Sequence, residues 1–211
     1  MKRDKGDVFI MNTNKRLHKM TKVAALAAIA GVLMLLEFPI IPMFNWLKVD
    51  FSELPVLMGA FAYGPIVGIV IEAIKIIIKF FLSGTTSFGV GELANFLMGL
   101  AFILPASMIY HRNKTKKTAI VGMIVGIIVV NIVSIIANIY MLLPAYGMKM
   151  TGSAAIKYIL IGLLPVNTIK AVSVSILTYI LYKKISMKVF KVDSRFSSNN
   201  SNNELEAKKT A

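Results

Sequence analysis

The sequence predicts an all-α, polytopic membrane protein with six transmembrane helices and both termini cytoplasmic. Three observations carry that expectation. First, 56% of the residues are hydrophobic and mean hydropathy is +0.71. They come in long blocks, not in the amphipathic stripes of a soluble domain. Second, the 24 Lys and Arg, against 10 Asp and Glu, gather at the chain ends and in one loop, as topology signals do. Third, a Gly-Pro pair divides the longest apolar block. No polar stretch is long enough to build a soluble core. The chain therefore reads as a basic cytoplasmic arm (1–21), a six-helix membrane domain (22–184) and a basic, polar cytoplasmic tail (185–211). The tail ends in "SSNNSNNELEAKKTA", whose low complexity predicts disorder.

The first apolar block, 23–44, is longer than the ~7–15-residue core of a signal peptide, and no small-residue cleavage site follows it. It is expected to be the first transmembrane helix. The second block, 54–82, contains "YGPIVG" (Tyr63–Gly68). Pro65 lacks an N–H and pushes Gly64 out of the helical region, so the block is one kinked helix or two. Charge decides. With one helix, "HRNKTKK" (His111–Lys117) lies opposite the basic arm. With two, the arm (Lys2, Arg3, Lys5, Lys15, Arg16, Lys19, Lys22), that loop and the tail (Lys183, Lys184, Lys188, Lys191, Arg195) share one side. The positive-inside rule favours the second arrangement. Residues 54–63 then give only ~15 Å of helix against a ~30 Å hydrocarbon core. The preceding "FNWLKVDFSELP" (Phe44–Pro55) is therefore expected to dip into the protein, where a cavity or packed protein must surround its irregular backbone. Blocks 91–110, 118–143 and 155–182 supply the last three spans.

A net charge of +14 in a soluble chain would point to nucleic acid. Here the positives cluster beside membrane spans, which points to topology and anionic lipid, with no nucleic-acid partner. The absence of cysteine excludes disulfides, thiolate catalysis and Cys-zinc sites. His18 and His111 stand in basic segments with no metal-ligand partner at helical spacing. There is no G-x-x-x-x-G-K-[ST], H-E-x-x-H or G-x-S-x-G. "GVGELA" (Gly89–Ala94) matches a loose dinucleotide pattern but follows no strand. Neither a catalytic residue, a metal nor a resident cofactor is expected, and the chain reads as a non-enzyme.

Polar residues inside the spans are costly and so mark candidate sites. With six spans they fall mostly in the outer half. Glu37 ends helix 1. Glu72, Lys75 and Lys79 share a face of helix 3. Glu92 and Asn95 open helix 4, Asn131, Ser134 and Asn138 form a stripe on helix 5, and Asn167 and Lys170 follow Pro165 on helix 6. A channel needs polar groups at all depths, whereas a pocket open to the outside needs them at one end. Each also has a plain structural reading. Glu72 and Lys75 can pair with each other, Lys79 can snorkel, Glu37 can be interfacial, and Asn131 and Ser134 can bond neighbouring helices. That reading is weakest for Lys170, which is far from either helix end and has no acid within a turn.

The stretches "LLEFPIIP…WLKVDFSELPVLMGAFAYGPIVGIV" (Leu35–Val70), "GELANFLMG", "NIYMLLPAYGM" (Asn138–Met148) and "LLPVNTIKAVSVSI" (Leu163–Ile176) carry a resemblance. The chain resembles the riboflavin-specific S components of energy-coupling factor (ECF) vitamin transporters over about residues 20–184. The resemblance implies the six-helix S-component fold, with the first connection capping a vitamin pocket on the outside. It implies a multi-pass subunit of a bacterial plasma membrane that captures riboflavin. The partners implied are a transmembrane coupling protein and two ATPase subunits, which agrees with the missing phosphate-binding loop. Asn138, Asn167 and Lys170 would meet the pyrimidine edge of the flavin, an imide N–H between two carbonyls. Asn95, Glu92 and the backbone of Leu47, Lys48, Val49 and Asp50 would meet the ribityl hydroxyls. Small residues of helix 1, Ala24 and Ala28 with Ala27 and Gly31 on a neighbouring strip, would pack against the coupling protein. An S component for another vitamin and a self-sufficient secondary transporter stand as the alternatives.

Overall fold

A computed structural model describes residues 5–85, 88–148 and 151–185, with side chains described between residues 16 and 181. Residues 1–4 and the tail from 186 onward, for which disorder is expected, lie outside the described residues. The fold is a helical bundle. Its elements are α1 (Lys5–Leu35), α2 (Glu53–Tyr63), α3 (Pro65–Ser83), α4 (Val90–Asn113), α5 (Lys116–Ala137), α6 (Leu143–Ala145), α7 (Ser153–Lys157) and α8 (Leu164–Ile185). A π-helical turn, Asn138–Leu142, joins α5 to α6, and a second, Tyr158–Leu163, joins α7 to α8.

Among the described residues, four helical stretches are long and apolar enough to cross a membrane: Arg16–Leu35, Val90–Asn113, Lys116–Ala145 and Ser153–Leu181. α2 and α3 fall outside that set for different reasons. α2 has 11 residues, about 16 Å at the helical rise. α3 has 19 residues but carries Glu72, Lys75 and Lys79. The break between them sits at Gly64, whose φ of +106° is a conformation L side chains rarely adopt, and Pro65 opens α3 at the position where its missing N–H costs nothing. Nearly every residue of α2 is buried, as befits a helix that is apolar all round. His111 of α4 donates from Nε2 to the Ala60 carbonyl at 3.0 Å and so ties down the C-terminal turn of α2.

α1 stops at Leu35, nine residues short of the end of the first apolar block. The segment after it is "EFPIIPM", and its prolines cannot continue a helix. It forms instead a short antiparallel hairpin of β1 (Phe38–Pro39) and β2 (Lys48–Val49), with Phe38 opposite Val49 and Pro39 opposite Lys48. A 3-10 turn, Pro42–Phe44, lies between the strands. The hairpin folds back onto the bundle. Phe44, Leu47 and Val49 are buried with Leu143, Tyr158, Leu163 and Val166 in a small apolar cluster. A larger cluster fills the bundle between α1, α2, α3, α4, α5 and α8. α4 and α5 pack tightest, because Gly122 and Gly126 expose bare backbone. A Cβ at either position would stand 2.6 Å from the carbonyl oxygen of Ala106 or Phe102.

Candidate binding site

A cavity of about 330 Å³ lies between the two apolar clusters, at the end of the bundle that carries the hairpin. The larger cluster gives it Phe102, Val130 and Ala171, and the smaller one gives it Leu47, Leu163 and Val166. The structure brings together eight of the nine nominated binding residues. Leu47, Lys48, Asp50, Glu92, Asn95, Asn138, Asn167 and Lys170 all line this cavity. Val49 does not, because alternation along β2 turns it into the small cluster. Glu37 and Lys79, singled out from sequence only as intramembrane polar residues, also line it, as do Trp46, Glu53 and Tyr146, which were not nominated from sequence.

The wall of α5 and α8 holds the amides. Asn138 donates from Nδ2 to the Ser134 carbonyl at 2.8 Å and accepts at Oδ1 from the Tyr158 hydroxyl at 2.7 Å. Tyr158 in turn accepts from the Trp46 indole N–H at 3.4 Å. Phe44 meets both rings edge-on, 5.5 Å from Trp46 and 5.3 Å from Tyr158. Asn167 donates from Nδ2 to Ser134 Oγ at 2.9 Å, and Ser134 donates to the Asn131 carbonyl at 2.9 Å. Asn131 donates to Thr168 Oγ1 at 3.2 Å. Asn131 and Ser134 thus bond a neighbouring helix, as their plain structural reading expected. Tyr158 escaped notice because an aromatic inside an apolar run reads as core.

Lys170 finds acids from elsewhere in the chain. Its Nζ donates to Asp50 Oδ2 at 2.9 Å and lies 3.9 Å from Glu53 Oε1. Asp50 Oδ1 also accepts from the Ser52 amide at 2.8 Å. Burial pushes the Asp50 carboxyl up, but Lys170, Lys75 and the Ser52 amide together hold it well below the usual carboxylate range. Behind it, Lys75 bonds Glu53 at 2.9 Å and pairs with Glu72 at 2.7 Å, all three being buried. The Glu72–Lys75 pairing proposed on helical spacing is therefore present. Neither Glu72 oxygen has a directed hydrogen bond among the described residues, so that contact is ionic. Glu72 rests against Gly99 of α4, where any side chain would collide with it.

At the rim, Glu37 accepts from Lys48 at 2.8 Å and from Lys79 at 3.1 Å, fastening the hairpin to α3. Burial raises the Glu37 carboxyl, but the two lysines outweigh that and lower it below its ordinary value. Glu92 accepts from Thr85 Oγ1 at 2.9 Å. The Asn95 side chain lines the cavity and makes no hydrogen bond to protein among the described residues. No group of three or more acids and histidines poised for a metal occurs among the described residues. The four small residues of α1 divide. Ala27 and Gly31 are buried, Gly31 directly against Ile78 of α3, whereas Ala24 and Ala28 are exposed.

Residues 18–182 match the model of the family described as ECF transporter, substrate-specific component. The chain is 32% identical over 176 residues to the riboflavin transporter FmnP of Bacillus subtilis, covering 81% of this chain and 93% of that protein. It is 37% identical over 180 residues to the riboflavin transporter RibU of Staphylococcus aureus, covering 83% and 93%. A solved structure, described as that of the S component of a bacterial ECF transporter, superposes with a TM-score of 0.71 at 36% identity, over 81% of this chain and 96% of that one. The chain belongs to the substrate-specific components of ECF transporters.

Proposed function

We propose that this chain is the riboflavin-binding membrane subunit of an ECF-type importer, one that captures riboflavin from outside the cell and delivers it to a coupling protein served by two ATPases. The observation that carries the reading is the hairpin-capped cavity, with Asn138, Asn167 and Lys170 on one wall and apolar residues on the others. Its volume of about 330 Å³ falls in the ordinary range for small-molecule sites. The similarity to riboflavin transporters supports the choice of ligand. In this reading the flavin tricycle lies among Phe102, Val130, Leu163 and Val166. Its imide edge meets Asn138, Asn167 and Lys170, and its ribityl hydroxyls meet Asn95, Glu92 and the Leu47–Asp50 backbone. A site that hydrogen-bonds a polar edge rejects ligands lacking it, because its own buried groups would be left unpaired.

Six helices span the plasma membrane in this proposal. α2 and α3 complete the set, with both termini and the 111–117 loop cytoplasmic and the hairpin outside. α2 is short because the hairpin occupies the rest of its depth. The exposed Ala24 and Ala28 are the residues of α1 left to meet the coupling protein, since Ala27 and Gly31 are taken up within the bundle. The test is spectroscopic. Protein purified from riboflavin-containing cells should be yellow, and titrated riboflavin should lose its fluorescence on binding. Colourless protein that binds no added riboflavin, but whose melting temperature rises with another vitamin, would overturn the ligand assignment.

A further inference from the structure

Two hydrogen-bond chains lead into the amide wall, and the chemistry of their ends fixes their direction. In the first, the Trp46 indole N–H can only donate and the Ser134 backbone carbonyl can only accept. Between them lie Tyr158 and Asn138, at 3.4, 2.7 and 2.8 Å along the chain. The hydroxyl must therefore donate to Oδ1, and Nδ2 must face the carbonyl. In the second, the Asn131 carbonyl can only accept, so the Ser134 hydroxyl donates to it at 2.9 Å and accepts from Asn167 Nδ2 at 2.9 Å. Among the described residues, no donor reaches Asn167 Oδ1. Asn138 and Tyr158 each open a π-helical turn, a local distortion frequent at functional sites.

We infer that Tyr158 and Ser134 are positioning residues that set the polarity of the site, so that Asn138 offers the cavity an N–H and Asn167 offers it a carbonyl oxygen. Asn138 has its Oδ1 capped by the tyrosine and one N–H remaining. Asn167 has its Nδ2 tied to the serine and its oxygen remaining. Lys170 spends one N–H on Asp50 and keeps two. The wall then presents two donor groups, Asn138 and Lys170, and one acceptor, Asn167. This inference rests on the proposed ligand, whose imide edge carries the complementary two acceptors and one donor. An asparagine free to turn over would accept either pattern, whereas a held one selects. Neither Tyr158 nor Ser134 needs to touch the ligand.

The experiment compares riboflavin with its N3-methyl derivative, which keeps both carbonyls and lacks the imide donor, on the purified full chain. The wild type should prefer riboflavin strongly. Ser134→Ala should weaken riboflavin more than the methyl derivative, narrowing the preference about tenfold, because the gain from a held acceptor is lost. Tyr158→Phe should move a carbonyl stretch of bound riboflavin to higher frequency in difference infrared spectra, as a donated hydrogen bond weakens. A purely structural role would weaken both ligands alike and leave the bands in place; that result overturns the inference. If either variant fails to fold, the acid isosteres decide. Both should weaken riboflavin, but Asn138→Asp, which loses the donor to the ligand, should do so about tenfold more than Asn167→Asp, which keeps the acceptor. Equal effects of the two also overturn it. A wild type that binds no riboflavin removes the functional reading itself, whereas binding with unchanged preference and bands removes only the wiring.

Discussion

Lys170 uses one of its three N–H groups on Asp50, across 120 residues of chain, and two remain for a ligand. Replacing it with alanine strips Asp50 of its nearest counter-charge and the ligand of a donor. Lys170→Ala should weaken riboflavin binding by about 1–3 kcal/mol, roughly 5- to 150-fold, in a flavin-fluorescence titration; an unchanged Kd would contradict its place in the site. This residue was legible from sequence for a simple reason: an ammonium deep in an apolar helix is too costly to lack a purpose. Asn138 and Asn167 were legible by the same argument. Asp50 was nominated only for its backbone. Its carboxylate as the lysine's partner could not be read, because no local spacing encodes a contact between the hairpin and the last helix. Tyr158 could not be read either, because its single polar atom is hidden behind a ring that suits any core.

The hairpin and the α4–α5 pair are the elements that give the site its shape. Glu37 fastens the hairpin through Lys48 and Lys79, and its pKa is lowered in the folded protein. A depressed carboxylate contributes stability above its unfolded pKa and loses it as pH falls through the folded value. Lowering the pH below the ordinary range of glutamate should therefore loosen the hairpin, seen as faster amide exchange across residues 38–49. Glu37→Gln should exchange fast at neutral pH and show no such step. In the second element, Gly126→Val would drive a side chain into the Phe102 carbonyl. It should lower stability by about 1–3 kcal/mol, read as a reduced melting temperature in detergent. The break at Gly64–Pro65 was visible in the sequence because both residues act locally. The early end of α1 was missed, because the expectation followed the apolar block to residue 44 although Pro39 and Pro42 mark the break locally; the packing of Phe44 and Leu47 shows where the chain then goes.

Across the whole molecule, Asp50, Glu53 and Glu72 face Lys75 and Lys170 in one buried cluster that joins the hairpin to α2, α3 and α8. Three carboxyls share two ammoniums, and Lys75 alone is in contact with both Glu53 and Glu72. Lys75→Met alone should cost about 3–5 kcal/mol, because two buried acids lose their partner, and adding Glu72→Leu should recover part of that in thermal unfolding. Topology is testable at the same scale. The chain has no cysteine, so single substitutions label cleanly. In intact cells Thr151→Cys should react with an impermeant maleimide and Lys117→Cys should not; the reverse pattern would refute the cytoplasmic placement of the termini. One further consequence comes from Trp46. It is the chain's sole tryptophan, set on the cavity wall beside Phe44 and Tyr158. Its ultraviolet emission is therefore a single-site optical signal. A flavin arriving within a few ångströms should drain that emission by energy transfer. Stopped-flow mixing would then time the flavin's arrival in the unmodified protein, with no dye attached.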